Sequence, residues 1–274
     1  MAEKNAALEL ENVSFSYEGR GGRVLDGVSA SFFRGELVGL VGPIGCGKST
    51  LLMCCNGLIP REVKGAFSGH VSMLGREPAK TDPKQVAKMC SFVFQDPNDQ
   101  IFNTTVAEEV SFGLKACGME AARARQLARQ AIRDVGLAGL EDEDPMSLSE
   151  GQKQKVAIAC ALAQDSQVIL MDEPVSSLDW KSTTDIFAIL SGLAKKGKTI
   201  IMAEHDTEVL LDNATRVLVM DGRGKIVIDG KPDSLLDPRL AKLGVRQPYI
   251  AKLAQEMGIS GNYETIRRRI MQKL

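Results

Sequence analysis

A glycine-rich segment around residue 45 combines residue types and spacing that suit phosphate binding. Its sequence fits the pattern G-x-x-x-x-G-K-[ST] and comprises Gly42, Pro43, Ile44, Gly45, Cys46, Gly47, Lys48 and Ser49, followed by Thr50. Glycines let successive backbone N–H groups curve around an anion at a helix N-terminus without clashes from Cβ atoms. The Lys48 ammonium can reach β- and γ-phosphates, and the Ser49 hydroxyl can bind Mg²⁺. The alternative is a chance match in a Gly-rich turn, which the apolar run before the segment disfavours. We predict a nucleotide-binding loop over residues 42–50.

Two adjacent carboxylates follow a second apolar run. Residues 168–171 are Val-Ile-Leu-Met, and Asp172 and Glu173 come directly after them. Sheets of α/β proteins bind ligands at the carboxyl ends of their strands, so both carboxylates are predicted to lie at the ligand-binding edge of a sheet. There Asp172 can hold Mg²⁺ through its water shell and Glu173 can polarise an attacking water. An acidic turn after a strand is common by itself, but beside a phosphate loop the catalytic interpretation is favoured.

The elements that must position these groups are visible as alternating patterns of strands and helices. Apolar or alternating runs predict strands at residues 8–17, 24–33, 37–41, 86–94, 168–171, 199–203 and 217–220. Helical patterns are predicted at residues 105–115, 121–135, 186–193 and 250–257, with a capping box at Thr105-x-x-Glu108. Strands that alternate with helices imply a parallel sheet covered on both faces. The sequence therefore predicts an α/β fold.

A pentapeptide between the two motifs points to a family. It consists of Leu148, Ser149, Glu150, Gly151 and Gln152. With the phosphate loop, this pentapeptide and the Asp172-Glu173 pair in that order, the chain resembles the ATP-binding cassette (ABC) ATPases from about residue 8 to 230. Ser149-x-x-Gln152 also predicts a capping box, whose helix N-terminus offers a second anion site. In the family this signature acts in trans on ATP held by another ATPase subunit, which implies a head-to-tail dimer.

The resemblance implies roles for further residues. Tyr17 matches the aromatic residue that stacks on adenine, with a core strand aromatic as the alternative. Gln95 matches the glutamine that senses Mg²⁺ and the attacking water, and His205 matches the switch histidine that contacts the γ-phosphate. The D-loop, which crosses to the other subunit, matches Ser177, Leu178 and Asp179. The resemblance thus implies a catalytic set of Glu173, His205 and Gln95, and a Mg²⁺ set of Ser49, Gln95 and Asp172.

Glu150 departs from the family pattern, which usually has glycine at this position. A carboxylate aimed at the partner's γ-phosphate would weaken closure of the dimer. A carboxylate facing solvent would instead favour the first helical turn through the helix dipole. We favour the second interpretation, because Ser149 and Gly151 retain the groups that contact the nucleotide.

Two segments are similar to the energy-coupling-factor (ECF) importers and their cobalt-type relatives. They are residues 95–113, from Gln95-Asp96-Pro97 to Ser111-Phe112-Gly113, and the tail from residue 243 to 254. This resemblance implies a P-loop NTPase core with a mainly parallel sheet, an N-terminal antiparallel β region, an inserted α-helical subdomain and a short C-terminal helical extension. We predict an ATPase domain over residues 5–230, a helical subdomain at about 96–160, and a dimerising extension over residues 231–274. An ordinary packed amphipathic helix is the alternative for the tail.

Composition excludes several classes of protein. The 274 residues carry 34 Lys and Arg against 35 Asp and Glu, so the chain lacks the strongly basic balance of a nucleic-acid-binding domain, and no nucleic-acid partner is predicted. The six cysteines form no CxxC pair, which disfavours zinc and disulfide frameworks. No uncharged stretch approaches the ~20 apolar residues of a membrane span, and the polar N-terminus does not resemble a signal peptide. Any membrane pathway is therefore expected in other proteins.

These features together predict the motor subunit of an ECF-type ABC importer for a micronutrient, either a vitamin or a transition-metal ion. The predicted cofactors are ATP and Mg²⁺. The predicted partners are a second ABC ATPase subunit in a homo- or heterodimer, a transmembrane coupling protein and a substrate-binding membrane component, at the cytoplasmic face of the cell membrane. The alternatives are an ABC ATPase not involved in transport and an ATP-gated interaction subunit that barely hydrolyses ATP.

Two further predictions concern single side chains. Cys46 is expected to be a reactive thiolate, because Lys48 and a helix N-terminus lie beside it. Phe102 is expected either to anchor a membrane partner or to pack inside the helical subdomain.

Overall fold

The computed structural model describes residues 6–19 and 21–272. Residue 5, where the predicted ATPase domain begins, and residues 273–274, at the end of the predicted extension, lie outside the described residues. The strands of the described chain are β1 Ala6–Tyr17, β2 Leu25–Phe33, β3 Leu37–Val41, β4 Gly65–Met73, β5 Cys90–Val93, β6 Val168–Asp172, β7 Thr199–Ala203, β8 Arg216–Met220 and β9 Ile226–Gly230. Its α-helices are α1 Lys48–Cys55, α2 Leu58–Arg61, α3 Pro83–Met89, α4 Val106–Ala116, α5 Ala121–Asp134, α6 Glu150–Ala163, α7 Trp180–Lys195, α8 Thr207–Asn213, α9 Tyr249–Glu256 and α10 Tyr263–Met271.

The larger sheet has the strand order β5-β6-β7-β3-β8-β9, and all its pairs are parallel except β8 with β9. Every residue of β3, β6 and β7 is buried, as expected for central parallel strands whose faces are both covered. Because these strands run in the same direction, their carboxyl ends meet at one edge. The predicted mainly parallel α/β sheet is confirmed.

A smaller antiparallel sheet of order β2-β1-β4 covers one face of the larger sheet. Alternate residues of the central strands belong to separate apolar cores, as strand geometry requires. Val168 and Leu170 pack in the core that contains Phe15 and Phe32 of the smaller sheet. Ile169 and Met171 pack on the opposite face, with apolar residues of α4 to α7. The predicted antiparallel N-terminal region is thus confirmed.

Helices α4, α5 and α6 pack against one another between β5 and β6 in the chain. The buried face of α5 is made of Ala124, Ala128, Ala131 and Ile132, and small residues let helices approach closely. At the end of the described chain, α9 and α10 form a small core with Ala254, Ile266 and Ile270. Among the helices of the described residues, none combines the length and the apolar character that a membrane crossing needs.

Two local predictions were wrong. Residues 86–89 are helical, because Asp82 caps α3 and Pro83 begins it, so only Cys90–Val93 forms a strand. Thr105 caps α4, but the Glu108 carboxylate accepts from Thr104 Oγ1 at 2.7 Å, so the structure shows a simple cap at this helix. The helix predicted at 250–257 is present as α9, in which Ala251 and Ala254 are buried and Leu253 is exposed.

Candidate active site

The phosphate-binding segment joins the buried strand β3 to the N-terminus of α1. Gly47 has φ 104°, a conformation that favours glycine, and it places the next residue at the start of the helix. A Cβ atom at Gly42 would lie 2.6 Å from Cys46 Sγ, so this position accepts no larger residue without rearrangement. The Lys48 ammonium is held inside the loop, where it donates to the carbonyls of Gly42 at 3.1 Å and Pro43 at 3.3 Å. The loop therefore presents a buried positive charge and a helix N-terminus.

One cleft of about 420 Å³ brings together residues that are far apart in the sequence. Gln95 follows β5, Glu173 follows β6, His205 follows β7, and the phosphate loop follows β3. These strands are neighbours in the sheet, so their carboxyl ends deliver all four groups to one edge. The predicted residues that line the cleft are Tyr17, Ile44, Gly45, Gly47, Lys48, Ser49, Thr50, Gln95, Glu173 and His205.

Glu173 is at the centre of the polar contacts in this cleft. Its Oε2 accepts from Gln95 Nε2 at 3.2 Å, and its Oε1 lies 3.0 Å from His205 Nε2. The backbone of Glu173 has φ 46°, which is uncommon for a residue with a side chain. Its N–H donates to Ala203 O at 3.0 Å, which helps to hold this conformation. A carboxylate held this way is suited to orient and deprotonate a water molecule.

Asp172 and Ser49 fit a magnesium ion. Asp172 is buried, and burial raises the pKa of its carboxyl, while a hydrogen bond from Ser49 acts in the opposite direction. Asp172 Oδ1 has no hydrogen-bond partner among the described residues. An unsatisfied buried carboxylate oxygen beside a hydroxyl is an arrangement of hard oxygen ligands that suits Mg²⁺ with waters and phosphate oxygens. Within residues 6–19 and 21–272, no group of three or more His, Cys, Asp or Glu side chains forms a metal cluster.

Tyr17 lies at the end of β1 beside the first turn of α1. Its hydroxyl is 2.9 Å from Thr50 Oγ1, and its ring packs edge-on against Phe15, with centroids 4.9 Å apart. The side chain is partly buried and lines the cleft, so one part of it packs and another faces the phosphate loop. Tyr17 therefore packs against another strand aromatic, as the alternative interpretation expected, and it also lines the cleft, as stacking on adenine would require.

The signature pentapeptide starts α6 and does not line the nucleotide cleft of its own chain. Ser149 and Gln152 form the predicted capping box, with each side chain bonded to the other residue's backbone N–H. A Cβ atom at Gly151 would lie 3.2 Å from Ser177 O, so the signature contacts the D-loop segment of the same chain. Asp179 caps α7, and hydrogen bonds from Ser182 lower the pKa of its carboxyl.

Glu150 has partners that the sequence pattern did not predict. Its side chain is 60% exposed, and Oε1 lies 3.0 Å from Lys153 Nζ while Oε2 accepts from Asn98 Nδ2 at 3.3 Å. Lys153 Nζ also donates to Asn98 Oδ1 at 3.0 Å. The carboxylate is therefore turned toward the segment that follows Gln95. Lys153 therefore balances the charge of Glu150 within the same chain. Neither of the two interpretations given above predicted this ion pair.

The prediction of a reactive Cys46 thiolate is wrong. Cys46 is only 3% exposed, and burial raises the pKa of its thiol. The charge of Lys48 lowers that pKa, but desolvation is the larger effect. The side chain packs under the loop against Gly42, where the thiolate would lose its hydration.

Phe102 does not pack inside the helical subdomain, and that alternative is wrong. Its side chain is 65% exposed, and its ring stacks edge-to-face on Phe112, with centroids 4.8 Å apart. The buried Glu109 carboxylate accepts from the backbone N–H of Phe102 at 2.9 Å and of Asn103 at 2.8 Å. This contact holds the loop on α4 and presents Phe102 outward.

Sequence reasoning missed Glu204, which lies directly before His205. It is 3% exposed, its Oε1 has no partner among the described residues, and it lines a cleft of about 570 Å³ with Glu173 and His205. The apolar residues 200–203 of β7, directly before Glu204, were the available signal, because a strand buried on both faces leaves its next residue near the core. Charged residues are seldom buried without a partner, so pattern alone disfavoured this position.

The fold and the cleft define a P-loop nucleotide-binding protein with an inserted helical region. The sequence profile of the ABC transporter family matches residues 25–176, which is more than half of the chain. The chain therefore belongs to the ABC transporter family.

Relatives and solved structures agree with this assignment. The energy-coupling factor transporter ATP-binding protein EcfA1 of Thermotoga maritima is 42% identical over 205 residues, which cover 75% of each chain. Two Methanosarcina relatives are longer, and the matched region spans 34% of the one from M. mazei and 45% of the one from M. acetivorans.

Among solved structures, CbiO1 from Clostridium perfringens, part of the ABC transporter complex CbiONQ, superposes with a TM-score of 0.73 at 29% identity, covering 91% of this chain and 99% of that one. The dimeric ATP-binding cassette MJ0796 bound to ADP and Pi gives a TM-score of 0.72 at 29% identity, covering 82% of this chain and 98% of that one.

Proposed function

We propose that this chain is the ATP-hydrolysing subunit of an ECF-type importer at the cytoplasmic face of the cell membrane. The observation that carries the proposal is the contact of Glu173 with both Gln95 and His205 at the mouth of the phosphate loop. The similarity to EcfA1 and CbiO1 supports the importer class. We propose a micronutrient as the cargo, either a vitamin or a transition-metal ion, recognised by other proteins.

In the proposed reaction, the residues of the cleft have separate roles in binding and catalysis. The N–H groups of the loop and the Lys48 ammonium bind the phosphates of ATP, and Tyr17 provides a ring for adenine. Ser49, Gln95 and Asp172 would hold Mg²⁺, which neutralises charge on the phosphate oxygens. Glu173 accepts a proton from the attacking water, Gln95 orients that water, and His205 contacts the γ-phosphate.

We propose that hydrolysis takes place between two ATPase subunits. The Ser149 hydroxyl and the Gly151 N–H lie at the N-terminus of α6, outside the cleft of their own chain, which leaves them suited to bind phosphate held by a partner. MJ0796 has been solved as a dimer, which supports this arrangement. The partner is a second copy of this chain or a related ABC subunit.

The proposed ATPase domain covers residues 5–230 with its helical subdomain at about 96–160, and we propose that residues 231–274 contribute to dimerisation. Exposed apolar side chains gather on one groove of about 760 Å³ between α7 and the extension. They are Trp180, Tyr249, Leu253 and Met271. Exposed apolar patches of this kind mark protein interaction sites. Trp180 follows the D-loop directly, which connects the groove to the proposed dimer interface.

We propose that the membrane coupling protein docks beside the exposed pair of Phe102 and Phe112. This pair follows Gln95 in the chain, so a movement of the docked protein can reach the nucleotide cleft. Glu109 fixes the loop that carries Phe102, which gives the partner a preorganised apolar anchor.

The test is a purification of the intact complex through a tag on this chain, with identification of every subunit by mass and measurement of phosphate release. We expect membrane proteins in the complex and Mg²⁺-dependent ATP hydrolysis, which Lys48→Ala abolishes because it removes charge from the phosphate site. Absence of membrane proteins would contradict the importer proposal. ATP binding without hydrolysis in the complete complex would favour the ATP-gated interaction subunit.

A further inference from the structure

The stretch of chain that carries His205 is short and is fixed at both ends. Before it, the Glu204 N–H donates to Leu40 O at 3.1 Å, which holds this point on β3. After it, Thr207 begins α8, and this residue is only 2% exposed. Two residues, His205 and Asp206, lie between these fixed points. The position of the His205 ring therefore depends on what holds Thr207.

Thr207 is held by the C-terminal extension. Its Oγ1 donates to the carbonyl of Arg246 at 2.9 Å. One residue further along α8, the Glu208 carboxylate accepts from the backbone N–H of Tyr249, the first residue of α9. The partners in the extension belong to residues 244–249, which we call the 244–249 segment. Two hydrogen bonds thus join the first turn of α8 to this segment.

The 244–249 segment also contacts the phosphate loop. A Cβ atom at Gly244 would lie 3.3 Å from Pro43 Cβ, so the backbone of the segment lies close to the loop at this point. The next residue, Val245, is buried in the larger apolar core. The segment lines the cleft of about 570 Å³ that contains Glu173 and His205. One part of the extension therefore touches both the phosphate loop and the helix that follows His205.

We propose that Thr207 is a positioning residue, whose bond to the 244–249 segment keeps His205 in place beside Glu173. This inference rests on the proposed ATP hydrolysis. His205 Nε2 lies 3.0 Å from Glu173 Oε1, and a displacement of about 1 Å in a catalytic group can lower a rate by about 10²-fold. ATP binding depends on Lys48 and the N–H groups of the phosphate loop, which Thr207 does not contact. Loss of the bond should therefore affect turnover and spare ATP affinity.

This contact makes turnover depend on the extension. Tyr249, whose N–H is bonded to Glu208, also lines the groove of about 760 Å³ that we propose for dimerisation. The 244–249 segment thus lies between that groove and the catalytic cleft. A partner bound in the groove can act on His205 through this segment.

The experiment compares Thr207→Val and Thr207→Ser in the intact complex. Valine keeps the shape of the side chain without the hydroxyl, whereas serine keeps the donor. In Thr207→Val we expect kcat to fall at least about fivefold, the worth of one hydrogen bond, with unchanged ATP affinity. Thr207→Ser should retain the wild-type rate. The matched control is Thr81→Val, which removes a hydroxyl that donates to Glu77 O at 2.7 Å and lies outside both clefts, and which should also keep the wild-type rate.

A second measurement follows His205 directly. The sequence has only two histidines, His70 and His205, so an NMR spectrum of the full-length subunit labelled at histidine contains two sets of ring signals. His205→Ala identifies the set that belongs to His205. Thr207→Val should shift this set and leave the signals of His70, on β4, in place as a reference. Thr207→Ser and Thr81→Val should leave the His205 signals at their wild-type positions.

Three results would each overturn the inference. They are a smaller loss of kcat in Thr207→Val, an unshifted His205 signal in that variant, and a rate in Thr207→Ser as low as that in Thr207→Val. If Thr207→Val does not fold, Glu208→Ala removes the other bond to the segment and is judged by the same two measurements. Glu208→Gln, which keeps an acceptor oxygen, is its control. A wild-type complex that does not hydrolyse ATP would instead refute the proposed function, and the NMR comparison would still decide whether Thr207 positions His205.

Discussion

Glu173→Gln removes the carboxylate that we propose accepts a proton from water, with little change in side-chain shape. The carboxylate is contacted on both sides, by Gln95 Nε2 at 3.2 Å and by His205 Nε2 at 3.0 Å. An amide retains one acceptor, and the Gln95 amide can rotate to offer its oxygen to the new donor. The cleft should therefore keep its shape and its affinity for ATP.

The expected loss is in turnover. A positioned general base contributes about 10²–10⁴-fold to the rate. Such a loss corresponds to about 2.7–5.4 kcal/mol in the activation free energy. Lys48 and the loop N–H groups are not altered, so the variant should bind ATP and accumulate as a closed ATP-bound dimer.

Three measurements check this prediction: phosphate release by the intact complex, equilibrium binding of ATP, and the oligomeric state by size-exclusion chromatography with ATP present. Glu9→Gln is the control for a neutralised carboxylate away from the cleft. Turnover within tenfold of wild type would refute the role of Glu173 as the base. A parallel loss of ATP binding would show that Glu173 acts in binding instead.

The other predictions concern three other sites of the same subunit. A double-mutant cycle with Glu150→Gln and Lys153→Met should give a coupling of about 0.2–1 kcal/mol in urea unfolding, because Glu150 is largely exposed, and a coupling of zero would mean that the ion pair does not hold the signature. Phe102→Asp should keep the melting temperature and ATP affinity of the isolated subunit and prevent assembly with the membrane protein. The control Val227→Asp, at another exposed apolar position, should assemble normally. Normal assembly of Phe102→Asp would place the membrane contact elsewhere. Cys46, whose thiol pKa is raised by burial, should react with a bulky thiol reagent more slowly in the folded protein than in urea, and equal rates would contradict its burial.

Much of the fold could be predicted from the sequence, because central parallel strands appear as continuous apolar runs. The runs at 37–41 and 199–203 coincide with β3 and β7 as the structure has them. The predicted strand at 86–94 was wrong in its first half, since the apolar Val86 belongs to a short helix that Asp82 and Pro83 begin. Periodicity over so few residues does not distinguish a buried helix from a strand.

The sequence by itself determined the groups whose roles depend on local backbone. The Gly42–Ser49 pattern requires a loop at a helix N-terminus, and the Ser149-x-x-Gln152 spacing requires a capped helix, because both depend on neighbours a few residues away. Only the tertiary structure decided the properties that depend on distant segments. It brought Glu173 between Gln95 and His205, and placed Asn98 against Glu150. It buried Cys46 and Glu204 and exposed Phe102. The charge state and accessibility of a side chain follow from what packs around it, and residues close together in the sequence do not specify that packing.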